Sequence, residues 1–183
     1  MSRIVPGHSA PTAGFEVPLE MLSACHHRIE RQCETLRRLV EHLGMHGADA
    51  DARSAAQGVL RYFDSSALHH HADEEEDLFP ALLESMAGSD AVCLRELTQG
   101  LIAEHRELES RWRRLRLALE RVVQGEDGSL VAADVEAFVD GYARHLEREE
   151  RELLPMAERL LGDEDLARVG RAMRERRGIG PVD

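Results

Sequence analysis

The stretch His70-His71-Ala72-Asp73-Glu74-Glu75-Glu76-Asp77-Leu78-Phe79-Pro80 returns later in the chain as His145-Leu146-Glu147-Arg148-Glu149-Glu150-Arg151-Glu152-Leu153-Leu154-Pro155. Both copies place a glutamate four residues after the first histidine, follow it with a second glutamate, and reach a proline ten residues on. Phe63 and Phe138 each stand seven residues before that histidine. A proline inside a helix costs roughly 3 kcal/mol, so its recurrence at one register predicts a shared kink. Histidine and glutamate four apart share one helix face, a turn from each other.

A second, looser repeat lies outside these phrases. Leu22-x-x-x-His26-x-x-Ile29 aligns with Leu101-x-x-x-His105-x-x-Leu108, and further on Cys33 falls over Trp112 and Leu36 over Leu115. His26 belongs to the apolar stripe Leu22, Ile29, Cys33, Leu36, whereas His27 shares its face with Ser23, Glu30, Arg31 and Glu34 and is expected to point outward. On the second segment, His70 and Glu74 line up with Leu60, Phe63 and Ala67. His71 and Glu75 fit Leu78 and Leu82 downstream but meet Asp64 upstream. The repeat and the stripe both favour His70 over His71.

The four phrases sit on four long segments of helical periodicity, each bounded by breakers. The first runs from about Pro18 to Gly44, and the second from Asp49 or Asp51 to Gly88. The third opens after a Ser89 cap and stops at Gly125; the fourth runs from about Ser129 to Gly162. A short amphipathic helix, Asp163 to Arg177, is closed by Gly178. Residues 1–17, with Pro6, Gly7, Pro11 and Gly14, read as an irregular arm. No β-alternation appears. Short connections make neighbouring helices antiparallel, so the expected fold is all-α: an up-down-up-down four-helix bundle over 18–162, with residues 163–183 packed outside it.

Composition agrees. Apolar residues make up 43 %, charged residues 32 % and aromatics only 4 % of the 183 residues, a helical balance for a single domain. The net charge of -12 argues against a nucleic-acid partner and against docking on anionic lipid. No stretch approaches the roughly 18 apolar residues of a membrane span, and the start Met-Ser-Arg-Ile-Val-Pro-Gly-His lacks the apolar run of a signal peptide. Three cysteines without CxxC spacing imply neither a disulfide framework nor a zinc ribbon. A cytoplasmic location is the expectation.

Counted from the connections, with ~1.5 Å of rise per residue, His26, His70, His105 and His145 fall within about 5 Å of one level. Leaving one buried polar group unpaired costs ~1–3 kcal/mol, so a layer of them would consume much of a typical ~5–15 kcal/mol stability. Metal coordination removes that penalty. Imidazole with carboxylate suits iron, and also manganese or zinc. Ferritin-type sites use Glu-x-x-His, and no histidine here has a glutamate three residues before it.

The ordered pattern His26, His70-x-x-x-Glu74, His105, His145-x-x-x-Glu149, with the Glu-Glu-x-x-Leu-Phe-Pro tail, resembles the hemerythrin-like (HHE cation-binding) family over about residues 18–162. The resemblance implies a binuclear non-haem centre of two iron ions. His26, His70, His105 and His145 would be terminal ligands and Glu74 and Glu149 bridges. Glu150 is the alternative to Glu149, because oxygen-carrying members use a carboxylate five residues after the last histidine. Those members also place a fifth histidine four residues before the third-helix ligand, where this chain has Leu101. The pattern is therefore closer to bacterial members linked to repair of iron-sulfur centres and to nitric oxide or peroxide stress, and further ligands from His69, His71 or water stay open.

The implied partner is a small diatomic molecule or peroxide. No nucleophile-and-base pair supports hydrolysis. The other readings are a metal-responsive regulatory module, or a bundle holding zinc or another redox-silent metal for structure. Trp112 reads as core, with a place in a ligand cavity as the alternative; Cys25 and Cys33 read as structural.

Overall fold

The computed structural model describes residues 14–86, 91–126 and 130–180, and among these every regular element is helical. Helix α1 is Pro18–His46. The second rod consists of α2 (Ala50–Arg61), α3 (Ala67–Ala72) and α4 (Phe79–Ser85), joined by π-helical turns at Tyr62–Ser66 and Asp73–Leu78. The third rod is α5, Ala91–Val123. The fourth is α6 (Ala132–Arg148), a π-helical turn at Glu149–Leu153, and α7 (Leu154–Leu160); α8 (Asp163–Arg176) follows.

The ends have identifiable causes. Pro18 occupies the first turn of α1, where its missing N–H costs nothing. The expected stop at Gly44 is passed. α1 continues to His46 and ends at Gly47, whose φ of 67° is left-handed and whose N–H donates to the Leu43 carbonyl. Gly44 lacks that backbone turn, so the expected stop falls three residues short of the glycine that closes the helix. Asp49 caps α2 by accepting the N–H of Ala52 at 2.9 Å. Gly125 and Gly178 close α5 and α8 at φ 82° and 67°. The expected boundaries at Gly88, Ser89 and Ser129, and most of the N-terminal arm, lie outside the described residues.

The prolines act differently from a simple kink. Pro80 and Pro155 each open the helix after a π turn. The N–H of Phe79 donates to the carbonyl of Glu74, and that of Leu154 to the carbonyl of Glu149, each five residues back. One widened turn absorbs the proline ring in both copies of the repeat, and such turns concentrate at functional sites.

The order of buried residues fixes the directions of the rods. One apolar cluster holds Ile29, Leu36, Phe63, Ala67, Leu108, Trp112, Phe138 and Leu146; a second holds Leu22, Leu78, Leu94, Leu101 and Leu153. α1 and α5 run from the second cluster to the first, and the other two rods run back. The bundle is thus antiparallel. Phe63 and Phe138, the equivalent phenylalanines of the repeat, meet edge to face at 5.1 Å between ring centres. Between the two clusters lies a layer of buried His26, His70, Glu74, His105, His145 and Glu149.

α8 buries Val169 and Met173 against the second cluster. Gly170 passes so close to the chain before α1 that a Cβ there would lie 2.0 Å from the Phe15 carbonyl oxygen. At its far end Arg176 and Arg177 donate to the fully buried carboxylate of Asp73, at 2.6 Å for each shortest contact. No helix of the described residues is long and apolar enough to cross a membrane.

Candidate metal centre

All four rods contribute to the polar layer. α1 supplies His26, α3 His70, α5 His105 and α6 His145, while Glu74 and Glu149 stand at the starts of two π turns. Ligand atoms of His26, His70, Glu74 and Glu149 lie within 4.8 Å of one another, and so do those of Glu74, His105, His145 and Glu149. The two groups share both glutamates.

The carboxylates are turned to serve both. Glu74 sets Oε1 3.6 Å from His70 Nε2 and Oε2 3.2 Å from His105 Nε2. Glu149 sets Oε2 3.2 Å from His26 Nε2 and 3.9 Å from His70 Nε2, and Oε1 2.9 Å from His145 Nε2 and 3.7 Å from His105 Nε2. Each glutamate therefore offers one oxygen to each histidine pair. Glu150, the sequence alternative, is 40 % exposed and stays outside this layer, whereas Glu149 is fully buried.

Outside the layer, carboxylates orient the rings. Nδ1 of His26 donates to Glu150 at 2.6 Å, Nδ1 of His105 to Glu75 at 2.8 Å, and Nδ1 of His145 to Glu104 at 2.9 Å. A neutral ring that gives its proton outward presents a bare Nε2 inward, the arrangement that supports metal-ligating histidines. Arg148 holds Glu104 at 2.8 Å, and Arg106 holds Glu75. The second glutamate of each repeat copy thus braces a histidine of another rod. The repeat carried that signal, but nothing in the spacing says which histidine it reaches.

The inner atoms lack hydrogen-bond partners: Nε2 of His26, both ring nitrogens of His70, and both carboxylate oxygens of Glu74 and of Glu149. Several approach one another closely but out of line for hydrogen bonding. Buried groups are almost always paired, so so many orphans in one layer fit a cation that this donor set would hold.

Protons partly play that role without metal. Burial opposes charge on His26 and His105, yet the neighbouring carboxylates, Glu149 foremost, raise them to about 9 and about 10. Burial likewise opposes charge on His145, but Glu149 raises it. Burial and then the charge of His26 push His70 well below its usual value. Burial and the charge of Glu149 raise Glu74 to about 7, while Glu149, against its own burial, is held low by His145, His105 and His26. The layer is a salt of imidazolium and carboxylate that a cation can displace.

A profile described as the hemerythrin HHE cation binding domain matches residues 17–157. The chain belongs to the hemerythrin HHE family. An uncharacterized protein of Haemophilus influenzae is 32 % identical over 167 residues, covering 91 % of this chain and 94 % of that relative. Membership of the hemerythrin family implies binding of metal ions, and the buried histidine and glutamate groups are able to hold them.

Beyond the six expected residues, this hemerythrin domain buries a fifth histidine. His71 is 4 % exposed, and its ring stacks on that of His105 with centres 3.9 Å apart. The stripe argument set it aside because of Asp64 upstream. The π turn at Tyr62–Ser66 contains Asp64 and inserts an extra residue per turn, so a face counted across it does not carry through to His71. Asp64 itself accepts from Trp112 Nε1 at 2.9 Å, which places Trp112 in the core.

A cavity of about 380 Å³ lies between α1 and α6, reaching His26 past Cys33, Tyr142, Leu146 and Glu150. Trp112 takes no part in it. Cys25 is buried and Cys33 lies deep on the cavity wall, where burial pushes its thiol up to about 12.

Proposed function

We propose that this chain is a non-haem di-iron hemerythrin-like protein that binds or senses a small oxidant, dioxygen, nitric oxide or peroxide, or protects and repairs iron centres. The observation that carries the reading is the pair Glu74 and Glu149, each with one oxygen toward His26 and His70 and the other toward His105 and His145. Four imidazoles and two carboxylates are a donor set suited to iron. Two such ions would supply ferrous–ferric redox chemistry and coordination positions left open by the protein. His26, His70, Glu74, His105, His145 and Glu149 are the proposed ligands.

The cavity beside His26 supports access by a small molecule: it is lined by Val139, Tyr142 and Leu146 on one side and by Glu30, Glu34 and Arg37 on the other, and has room for far more than a diatomic molecule. Glu150, hydrogen-bonded to His26 at its mouth, both braces the ring and limits access. The net charge of -12 supports a partner other than nucleic acid.

Metal analysis of protein purified without added metal, joined to an optical spectrum, tests the reading. About two iron ions per chain and near-ultraviolet absorption that shifts with azide or nitric oxide are expected. Zinc in their place, with a silent spectrum, overturns it in favour of a structural metal.

A second reading, a metal-responsive module, has one specific support. Arg176 and Arg177 of α8 grip Asp73, the residue next to Glu74, so a change at the metal layer reaches α8 through one peptide. Protease sensitivity of α8 that depends on iron loading, without turnover of any oxidant, would favour it.

A further inference from the structure

Resting on the metal reading above, we infer that α8 is a positioning element of the metal layer. Arg176 and Arg177, acting through Asp73, hold the π turn that presents Glu74, so the seating of α8 and the binding of cations support each other. Both arginines bond to Asp73, the neighbour of Glu74, and not to Glu74 itself.

The two copies of the repeat differ at this turn. Residues 73–77 read Asp-Glu-Glu-Glu-Asp, an unbroken run of carboxylates, whereas the matching residues 148–152 read Arg-Glu-Glu-Arg-Glu. The second copy therefore carries arginine where the first has Asp73 and Glu76. Like charges crowded on one helical turn repel, and the first copy has no cation of its own to relieve them. α8 supplies it. Arg176 donates to Asp73 at 2.6 Å, to Asp77 at 2.7 Å and to Glu76 at 2.8 Å, and Arg177 donates through two nitrogens to Asp73 at 2.6 and 3.0 Å. A third bond of Arg177, to the Met173 carbonyl at 2.7 Å, ties its guanidinium to the last turn of α8. The matched hemerythrin region ends at residue 157, so the clamp lies beyond it.

Asp73 and Glu74 are consecutive, about 100° apart round the helix, and both are fully buried. One carboxylate lies against α8 and the other in the metal layer. The peptide joining them is gripped on its outer side by guanidinium, and a cation held by Glu74 would grip its inner side. A buried carboxylate stripped of its cation is strongly unfavourable, so Asp73 keeps its place only while α8 is docked. When α8 lifts, Asp73 turns toward water and draws Glu74 out of the layer.

The test uses the full chain loaded anaerobically with Fe(II), with affinity read by chelator competition. Arg176→Gln with Arg177→Gln is expected to weaken iron binding at least about tenfold, with helicity unchanged. That variant leaves Asp73 without its cations, so Asp73→Asn combined with both arginine substitutions is measured beside it. It carries no orphan charge and is expected to show the same loss. Co(II) in place of iron gives visible bands that follow ligand geometry and not stability, and these are expected to shift in both variants. Arg168→Gln breaks an exposed pair of α8 with Glu84 and is expected to keep wild-type affinity. Wild-type affinity and unchanged bands in the triple variant overturn the inference, and so does an equal loss in Arg168→Gln. In wild type, iron is expected to slow tryptic cleavage within α8 about tenfold, since coupling is reciprocal. A cleavage rate indifferent to iron overturns the inference without any variant, leaving the metal reading intact. Wild type that binds no iron overturns both.

Discussion

The N–H of Phe79 donates to the carbonyl oxygen of Glu74, five residues earlier and immediately ahead of Pro80. Proline lacks an N–H and its ring crowds the carbonyl four residues back, so the wide turn is the arrangement that keeps this helix continuous. Glu74, whose carbonyl accepts that bond, stands near the start of the wide turn, four residues after His70.

Pro80→Ala removes the reason for the wide turn. An ordinary α-turn can then form, stabilising the metal-free helix while rotating Glu74 out of register. The expected outcome is a melting temperature equal to or above wild type without metal, together with weaker iron binding. Thermal unfolding and chelator titration check both halves; unchanged iron affinity would show the turn to be irrelevant to the site.

Glu149 and Glu150 separate cleanly by substitution. Glu149→Gln removes the buried carboxylate shared by both ligand groups, and is expected to abolish stoichiometric iron binding. Glu150→Gln only loosens the brace on His26, a loss of about 10–100-fold in affinity. Iron stoichiometry after desalting distinguishes the two; the reverse order would make Glu150 the ligand.

The metal-free protein carries a pH signature. His26 and His105 titrate at about 9 and about 10, above the unfolded-chain value near 6.5. A raised folded-state value gives stability that is complete below the unfolded pKa and lost as pH climbs through the folded one. Metal-free protein should therefore lose stability steadily from about pH 6.5 to 10. A bound cation would replace those protons, so loaded protein should lack this decline and metal affinity should rise over the same range. Melting curves with chelator and with iron, across that range, decide it; parallel curves would contradict the imidazolium–carboxylate layer.

Gly170→Ala offers a sign test of how α8 is seated. In a free helix the change gains about 1 kcal/mol. Here the new Cβ would fall 2.0 Å from the Phe15 carbonyl oxygen, and the strain is expected to cost about 1–3 kcal/mol. Urea denaturation reads the sign directly. A gain would mean that Phe15 does not lie on α8.

Much of this was legible in the sequence because the periodicity of the four rods is strong and their breakers are few. His26 could be chosen over His27 since α1 runs unbroken through both, and His27 is indeed exposed. Four of the inner residues, His70, Glu74, His145 and Glu149, came from the phrase shared by the second and fourth rods, and His26 and His105 from the looser repeat of the first and third. Legibility failed where the helix stops being an α-helix. Residues His69 to His71 lie between two π turns, so a stripe counted at 3.6 residues per turn favoured His70 and gave no sign that His71 is buried as well. The braces were hidden for another reason. Glu104 immediately precedes His105, yet it serves His145 on another rod, and such cross-rod pairing leaves no trace in local spacing.

The charged layer also divides the apolar interior into two separate packings, one on each side. With cations seated, that wafer rivets the halves into one cooperative solid. Stripped by a chelator, the same wafer becomes a fault plane along which the molecule can come apart in two stages.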